Sequence, residues 1–191
     1  MSLDLPGFAD PVADAQRSFR AALDAMAHPG QLHRLGGAPH PPPPLAAATA
    51  ALLLTLADAD TWLWLAPAFA AAREWVAFHT GAPLCADPAD AAFVVADTLP
   101  DFSRLSAGSD EAPEDSATLI VQVAAIGEGR RFRLRGPGLR VPAMLAVAGL
   151  PEEFADIWAG NRALYPRGLD LVLVAGAALV ALPRSVAVEA A

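Results

Sequence analysis

The stretch LLLTLADADTWLWL, residues 52–65, decides the fold. It begins as an apolar helix, passes through an acidic turn and ends in a strand on which Trp62 and Trp64 share one face, Leu63 and Leu65 the other. A strand that is apolar on both faces needs cover on both. We therefore expect it to lie centrally in a sheet with helices above and below.

Asp58 and Asp60 occupy the turn inside this stretch. Ligands of open α/β sheets bind at the edge of the sheet, so both aspartates are candidate binding residues. The alternative is a purely local role, because Asp favours caps and turns.

N-terminal to this stretch, the pattern predicts a helix that Asp10 caps and that His28-Pro29-Gly30 ends. The helix carries one apolar stripe, formed by Ala15, Phe19, Leu23 and Met26. A short strand is expected within 31–35, a proline-rich loop at 36–44 and a buried helix at 45–57.

The rest of the chain shows alternating helix and strand signals. We predict a helix at 68–79, a buried strand at 91–96, a polar excursion at 97–116 and an amphipathic helix at 151–162. Two β-hairpins are predicted: 118–126 with 131–135 across the turn 127–129, and 169–175 with 178–182 across Gly176-Ala177. Hairpins beside βα units indicate a mixed sheet.

Composition narrows the class of protein. The 191 residues fit one domain spanning 1–191, and 54% are hydrophobic, yet no apolar run approaches the roughly 20 residues of a membrane span. We expect a cytoplasmic protein, because the N-terminus shows no secretory signal. A net charge of −8 argues against nucleic-acid binding, and the single cysteine, Cys85, excludes an internal disulfide.

Familiar catalytic motifs are missing from the sequence. No glycine-rich phosphate loop follows a strand, and Cys85 lacks an activating motif. The four histidines show no i, i+4 pair, so we expect no metal. His79 is kept as a candidate binding residue, because a protonated imidazole is favoured at a helix C-terminus.

Arginines supply the strongest candidate for binding. All thirteen basic residues are arginine, and five of them fall within eleven residues: Arg130, Arg131, Arg133, Arg135 and Arg140. Alternation puts Arg131, Arg133 and Arg135 on one face of a strand, where guanidinium groups suit an anionic ligand or partner. Alternatively, charges on an edge strand simply block aggregation.

A further candidate is Arg184, which directly follows the last predicted strand of the second hairpin. If the sheet brings the strand ends together, Arg184 could pair with Asp58 or Asp60. It could also bind an anion that these carboxylates orient.

The order of short motifs resembles the PhnH family, the H subunit of the bacterial carbon–phosphorus lyase core complex. The matching segments, which together span almost the whole chain, are Asp14-Ala15-Gln16, Ser18-Phe19-Arg20, Met26, Pro29-Gly30, 52–61, Trp64-Leu65, Phe78-His79-Thr80, Ala82-Pro83-Leu84, 117–120, Gln122-Val123, Gly136-Pro137-Gly138, 168–171, Leu182-Pro183-Arg184 and Glu189.

This resemblance implies a role in organic phosphonate catabolism. Family members support the reaction in which a phosphonate displaces adenine from ATP to give ribose 1-phosphonate 5-triphosphate. It also implies a homodimer, partnership with the G, I, J and L subunits, and contact with ATP or phosphonate. The implied fold is a three-layer α/β/α domain with a mixed sheet, like the pyridoxal-phosphate-dependent transferases but without the cofactor.

Two functions remain open at this point. One is a non-catalytic scaffold within a transferase of the alpha-D-ribose 1-methylphosphonate 5-triphosphate synthase type, inactive when isolated. The other is a stand-alone enzyme that binds nucleotide or phosphonate. The lack of a nucleophile-and-base pair favours the scaffold. Covalent pyridoxal phosphate is not expected, because it is held by lysine and the chain has none.

Overall fold

The computed structural model describes residues 5–35 and 39–191. The helices are α1 (Pro11–Ala27), α2 (Ala47–Leu56), α3 (Arg73–Thr80) and α4 (Phe154–Arg162). The strands are β1 (His33–Arg34), β2 (Leu63–Leu65), β3 (Phe93–Ala96), β4 (Thr118–Gln122), β5 (Ala125–Arg135), β6 (Ala143–Ala148), β7 (Asp170–Ala175), β8 (Ala178–Leu182) and β9 (Ala187–Ala190). Within the described ranges, none of the helices is both long and apolar enough to cross a membrane.

The main sheet has six strands in the order β1-β8-β7-β4-β3-β2. Strands β2, β3, β4 and β7 run parallel, whereas β8 is antiparallel to β7 and β1 is antiparallel to β8. The mixed sheet predicted from the sequence is confirmed.

Strand β2 lies at the edge of this sheet, so the central position predicted for it is wrong. Strands β3, β4 and β7 all lie on one side of β2, and β4 and β7 are therefore the central strands of the sheet. The other side of β2 is covered by a short segment: Leu63 N donates to Pro83 O at 2.9 Å, and Cys85 N donates to Leu63 O at 2.9 Å. Leu63 and Leu65 are buried, while Trp62 is 52% exposed.

Two hydrophobic clusters cover the two faces of the main sheet. Helices α1, α2 and α3 pack on one face, around Leu52, Trp75 and Ile120. The other face meets α4 and a three-stranded antiparallel sheet of order β6-β5-β9, around Phe132 and Trp158. The three predicted layers are therefore present, and the second outer layer is part helix and part sheet.

The first predicted hairpin is wrong. Strand β4 pairs with β3 and β7, and β5 pairs with β6 and β9. Residues 127–129 form an irregularity inside β5, where the register shifts between Ile126 and Arg130. Gly129 has φ +94°, and a Cβ there would lie 2.6 Å from Val147 O, so the backbones approach too closely for a side chain.

Other predicted elements lie closer to their positions in the structure than the first hairpin does. The hairpin of β7 and β8 is confirmed, as are the caps of α1, where Asp10 accepts from Ala13 N at 3.1 Å. The helix predicted at 68–79 is a 3₁₀ segment, Pro67–Ala72, followed by α3. The excursion 97–116 carries two short 3₁₀ turns, and residues 36–38 of the proline-rich loop lie outside the described residues.

Candidate functional site

Asp58 and Asp60 lie in the turn before β2, at the amino end of the parallel strands. Asp58 Oδ1 accepts hydrogen bonds from Thr61 Oγ1 at 2.7 Å and from Asp60 N at 3.0 Å. These hydrogen bonds hold the pKa of Asp58 below its usual value, the side-chain bond from Thr61 contributing most. Ligands of open α/β sheets bind at the opposite, carboxyl edge. The geometry therefore gives Asp58 a local role in the turn, and the binding role predicted for Asp58 and Asp60 stays a prediction.

Arg184 does not pair with either of these aspartates. It follows β8 and lies at the same edge of the sheet as Asp58, but four strands away, which is roughly 19 Å at the usual strand spacing. Its partner is Asp170 at the start of β7: Nη2 donates to Oδ2 at 2.6 Å, and the main-chain N donates to Oδ1 at 2.8 Å.

The guanidinium of Arg184 also holds the polar excursion. Nη2 donates to Ser116 Oγ at 2.5 Å, and Nη1 donates to Pro113 O at 2.8 Å. The Arg184 and Asp170 side chains are only 15% and 18% exposed. Since the donors point at the protein's own oxygens, this cluster fastens a loop to the sheet edge.

His79 fastens the N-terminal segment in a similar way. Its Nε2 lies 3.1 Å from Leu5 O, which also accepts a hydrogen bond from Trp75 Nε1 at 2.8 Å. The imidazole ring is 4.7 Å from the Trp75 ring, and a Cβ on Gly7 would approach His79 Nδ1 to 3.1 Å. These contacts give His79 a structural role, and the binding role predicted for it stays a prediction.

Arg131, Arg133 and Arg135 lie on the outer face of the three-stranded sheet, as their alternation with buried Phe132 and Leu134 predicted. The idea that they protect an edge is wrong, because β5 is the middle strand of this sheet. Arg135 Nε lies 3.7 Å from Glu189 Oε2. Among the described residues, Arg131 and Arg133 form no ion pair with a carboxylate.

The other two arginines of the cluster, Arg130 and Arg140, lie outside this row of three. Arg130 donates to Glu152 Oε1 and to Glu152 O, both at 2.9 Å, and so connects β5 to the loop before α4. Arg140 is exposed in the turn between β5 and β6.

Gln122 fills the carboxyl edge of the sheet, a role that the sequence reasoning missed. From the end of β4, its Oε1 accepts from Ala46 N at 2.6 Å and its Nε2 donates to Pro44 O at 3.0 Å. Ala48 N, in the first turn of α2, donates to Gly176 O at 3.0 Å. Amides at a helix N-terminus can bind an anion, but these are bonded to the chain itself. The signal was available, because Gln122 is the one polar residue in the apolar run 119–126.

An apolar groove beside α1 was also missed. The predicted stripe exists, but Phe19 is 50% exposed and Leu23 is 60% exposed. They line a groove of about 230 Å³ together with Leu56, Phe93 and the helix-facing side of the main sheet. The residues that α1 buries are Asp14, Ser18 and Ala25, so its more apolar face stays accessible.

The described residues contain no group of three or more His, Cys, Asp or Glu side chains placed to hold a metal ion. Cys85 is buried, and burial raises the pKa of its thiol. A protonated thiol is a poor nucleophile.

The fold and these clusters define an α/β protein with a mixed sheet, in which Arg130 and Arg184 hold loops of the chain itself. The profile described as "Bacterial phosphonate metabolism protein (PhnH)" matches residues 6–189. The chain is 44% identical over 187 residues to the "Alpha-D-ribose 1-methylphosphonate 5-triphosphate synthase subunit PhnH" of Rhizobium meliloti (strain 1021), covering 95% of this chain and 94% of the relative.

A second relative matches a shorter stretch. The "Putative C-P lyase subunit protein HtxG" of Stutzerimonas stutzeri is 38% identical over 78 residues, which is 41% of this chain and 40% of that protein. The chain belongs to the PhnH family of bacterial phosphonate metabolism proteins.

Proposed function

We propose that this chain is the H subunit of a carbon–phosphorus lyase assembly and acts as a non-catalytic scaffold in phosphonate catabolism. In this role it supports formation of ribose 1-phosphonate 5-triphosphate from ATP and a phosphonate, with release of adenine. The observation that carries the proposal is the 44% identity to a relative named as a synthase subunit, over 95% of this chain.

The geometry favours a scaffold over a catalyst. Gln122, bonded to Pro44 and Ala46, lies at the carboxyl edge, where an α/β enzyme would bind its ligand. The most buried charged pair, Arg184 and Asp170, is directed at main-chain and side-chain oxygens of the chain itself. Neither the Gln122 site nor the Arg184–Asp170 cluster contains a nucleophile beside a base.

We further propose a cytoplasmic homodimer that contacts the G, I, J and L subunits and has a fold like the pyridoxal-phosphate-dependent transferases without their cofactor. The apolar face of α1 supports the dimer, because Val12, Phe19 and Leu23 are 81%, 50% and 60% exposed. Exposed apolar patches of this kind mark contact surfaces. The lack of lysine supports the absence of covalent pyridoxal phosphate.

Complementation tests this function. A phosphonate-using bacterium that lacks its own H subunit should regain growth on methylphosphonate as sole phosphorus source when it produces this chain. Growth on inorganic phosphate is the control for general fitness. Failure to restore growth, under conditions where the Rhizobium meliloti relative does restore it, would refute the proposal.

Calorimetry separates the scaffold from a stand-alone enzyme. Titration of the isolated chain with ATP and with methylphosphonate should give no binding heat, since the site is completed by other subunits. Saturable binding together with turnover by the isolated chain would favour the enzyme instead.

A further inference from the structure

The outer face of the three-stranded sheet carries three arginines of an otherwise acidic protein, and two of them, Arg131 and Arg133, form no ion pair within the part of the chain that the structure describes. Side chains that lie directly opposite each other on antiparallel strands share a face. Arg133 is therefore flanked by Met144 on β6 and by Glu189 on β9, and Arg131 faces Ala146. We call these residues, together with Arg135 and Ala187, the arginine face.

The composition of the arginine face is that of a contact surface. Met144 is 58% exposed, although a methionine side chain gains nothing from water. Arg and Met are enriched at protein–protein interfaces, where a flat arrangement of small and long side chains packs well. The β5–β6 turn, with exposed Arg140 and Val141, lies beside residues 28–31 at the end of α1 and is not part of the arginine face.

The charge on this face is not balanced within the chain. Glu189 is its one acidic side chain and lies 3.7 Å from Arg135 Nε, and Ala191, whose main-chain N donates to Arg131 O at 3.1 Å, follows directly after the same strand. Among the described residues, Arg131 and Arg133 form no ion pair. The whole chain carries a net charge of −8, so most of the remaining surface would repel an acidic partner. Positive potential at one face gives such a partner a single favourable orientation.

A small anion is a poorer fit for this surface. Residues two apart on a strand are about 6.7 Å apart, so the three guanidinium groups extend over roughly 13 Å without a concave wall around them. Small-molecule sites are concave and bury most of the ligand. A flat row of this length matches carboxylates spread over a protein surface.

We propose that the arginine face is the docking surface for an acidic surface of another subunit of the assembly. This inference rests on the proposed function, because it needs an assembly that the chain joins. Arg131 and Arg133 make the charged contact, and Met144, which lies beside Arg133 on β6, supplies its apolar part.

Charge reversal of the face tests this inference. Arg131→Glu/Arg133→Glu should weaken incorporation into the co-produced assembly by about tenfold or more, because like charges are then placed opposite each other. The matched control is Arg34→Glu/Arg104→Glu, which makes the same change in net charge at two other exposed arginines and should leave incorporation unchanged. Incorporation is measured by native mass spectrometry at increasing NaCl concentration, and unchanged melting temperatures of the isolated variants confirm folding.

The outcomes distinguish this inference from the proposed function. If the wild-type chain joins no assembly, both are refuted. If it joins and the Arg131→Glu/Arg133→Glu variant joins equally well, only the arginine face is refuted. The inference also falls if the isolated chain binds tripolyphosphate, or forms a dimer, through Arg131 and Arg133 while incorporation is unaffected. An Arg131→Gln/Arg133→Gln variant should show an intermediate loss with a weaker dependence on salt.

Discussion

Replacing Arg184 with alanine should destabilise the protein strongly without touching an exposed surface. The change removes the donors to Asp170 Oδ2 at 2.6 Å, to Ser116 Oγ at 2.5 Å and to Pro113 O at 2.8 Å. Among the residues that the structure describes, the Asp170 carboxylate then keeps the main-chain N of residue 184 as its partner, at 2.8 Å, with its side chain 18% exposed.

The magnitude follows from the burial of this pair. Removing one partner of a buried pair costs about 3–5 kcal/mol, and we expect the lower end because both side chains retain some exposure. In a domain of this size each kcal/mol corresponds to roughly 2–4 °C, so the melting temperature should fall by roughly 6–12 °C.

Thermal melting and urea unfolding measure the effect, with Arg131→Ala as the control because that arginine is exposed. The double variant Arg184→Ala/Asp170→Ala should lose less stability than the two single losses combined, since no carboxylate is left unpaired. A loss for Arg184→Ala no larger than that for Arg131→Ala would refute the structural role. Normal melting with loss of growth on methylphosphonate would instead support the binding role predicted from the sequence.

Three more outcomes are expected. Gln122→Ala should lower the free energy of unfolding by about 1–2 kcal/mol in urea, because its hydrogen bonds to the main chain at Ala46 and Pro44 are lost together, and an unchanged midpoint would contradict this. The Asp58 carboxyl should titrate below its ordinary pKa by NMR, and Thr61→Ala should raise that pKa. Because folding lowers the pKa of Asp58, the ionised carboxylate stabilises the protein at pH values above the ordinary pKa of Asp. This stabilisation is lost as the pH falls through the lowered pKa of the folded protein. Phe19→Glu/Leu23→Glu should convert the proposed dimer to a monomer in light scattering with unchanged melting, whereas an unchanged mass would place the dimer contact elsewhere.

Local signals in the sequence predicted most elements, because capping and periodicity are short-range properties. Asp10 and Pro11 set the start of α1, and the alternation around Phe132 and Leu134 set the two faces of β5. The order of strands was not predictable in this way. Whether a Gly-Glu-Gly segment makes a turn or a bulge depends on which strand lies beside it, and β6 follows β5 only later in the chain.

The sequence pattern also did not predict which face of α1 is buried. The stripe of Phe19 and Leu23 is the more apolar side of α1, yet the buried side holds Ser18, Ala25 and Asp14. Small side chains allow α1 to lie close to its neighbours, and Asp14 is satisfied by the main-chain N of Asp10 at 2.9 Å. Only the packed structure reveals that geometry.

The six-stranded sheet separates the two accessible surfaces of this protein. The groove beside α1 belongs to the helical layer on one side, and the arginine face is the outermost surface of the layer on the other. A neighbour bound to one side cannot obstruct the other, so the chain can be held between two macromolecules at once. The dimer contact proposed at the groove and the docking contact proposed at the arginine face would therefore use separate surfaces of the same chain.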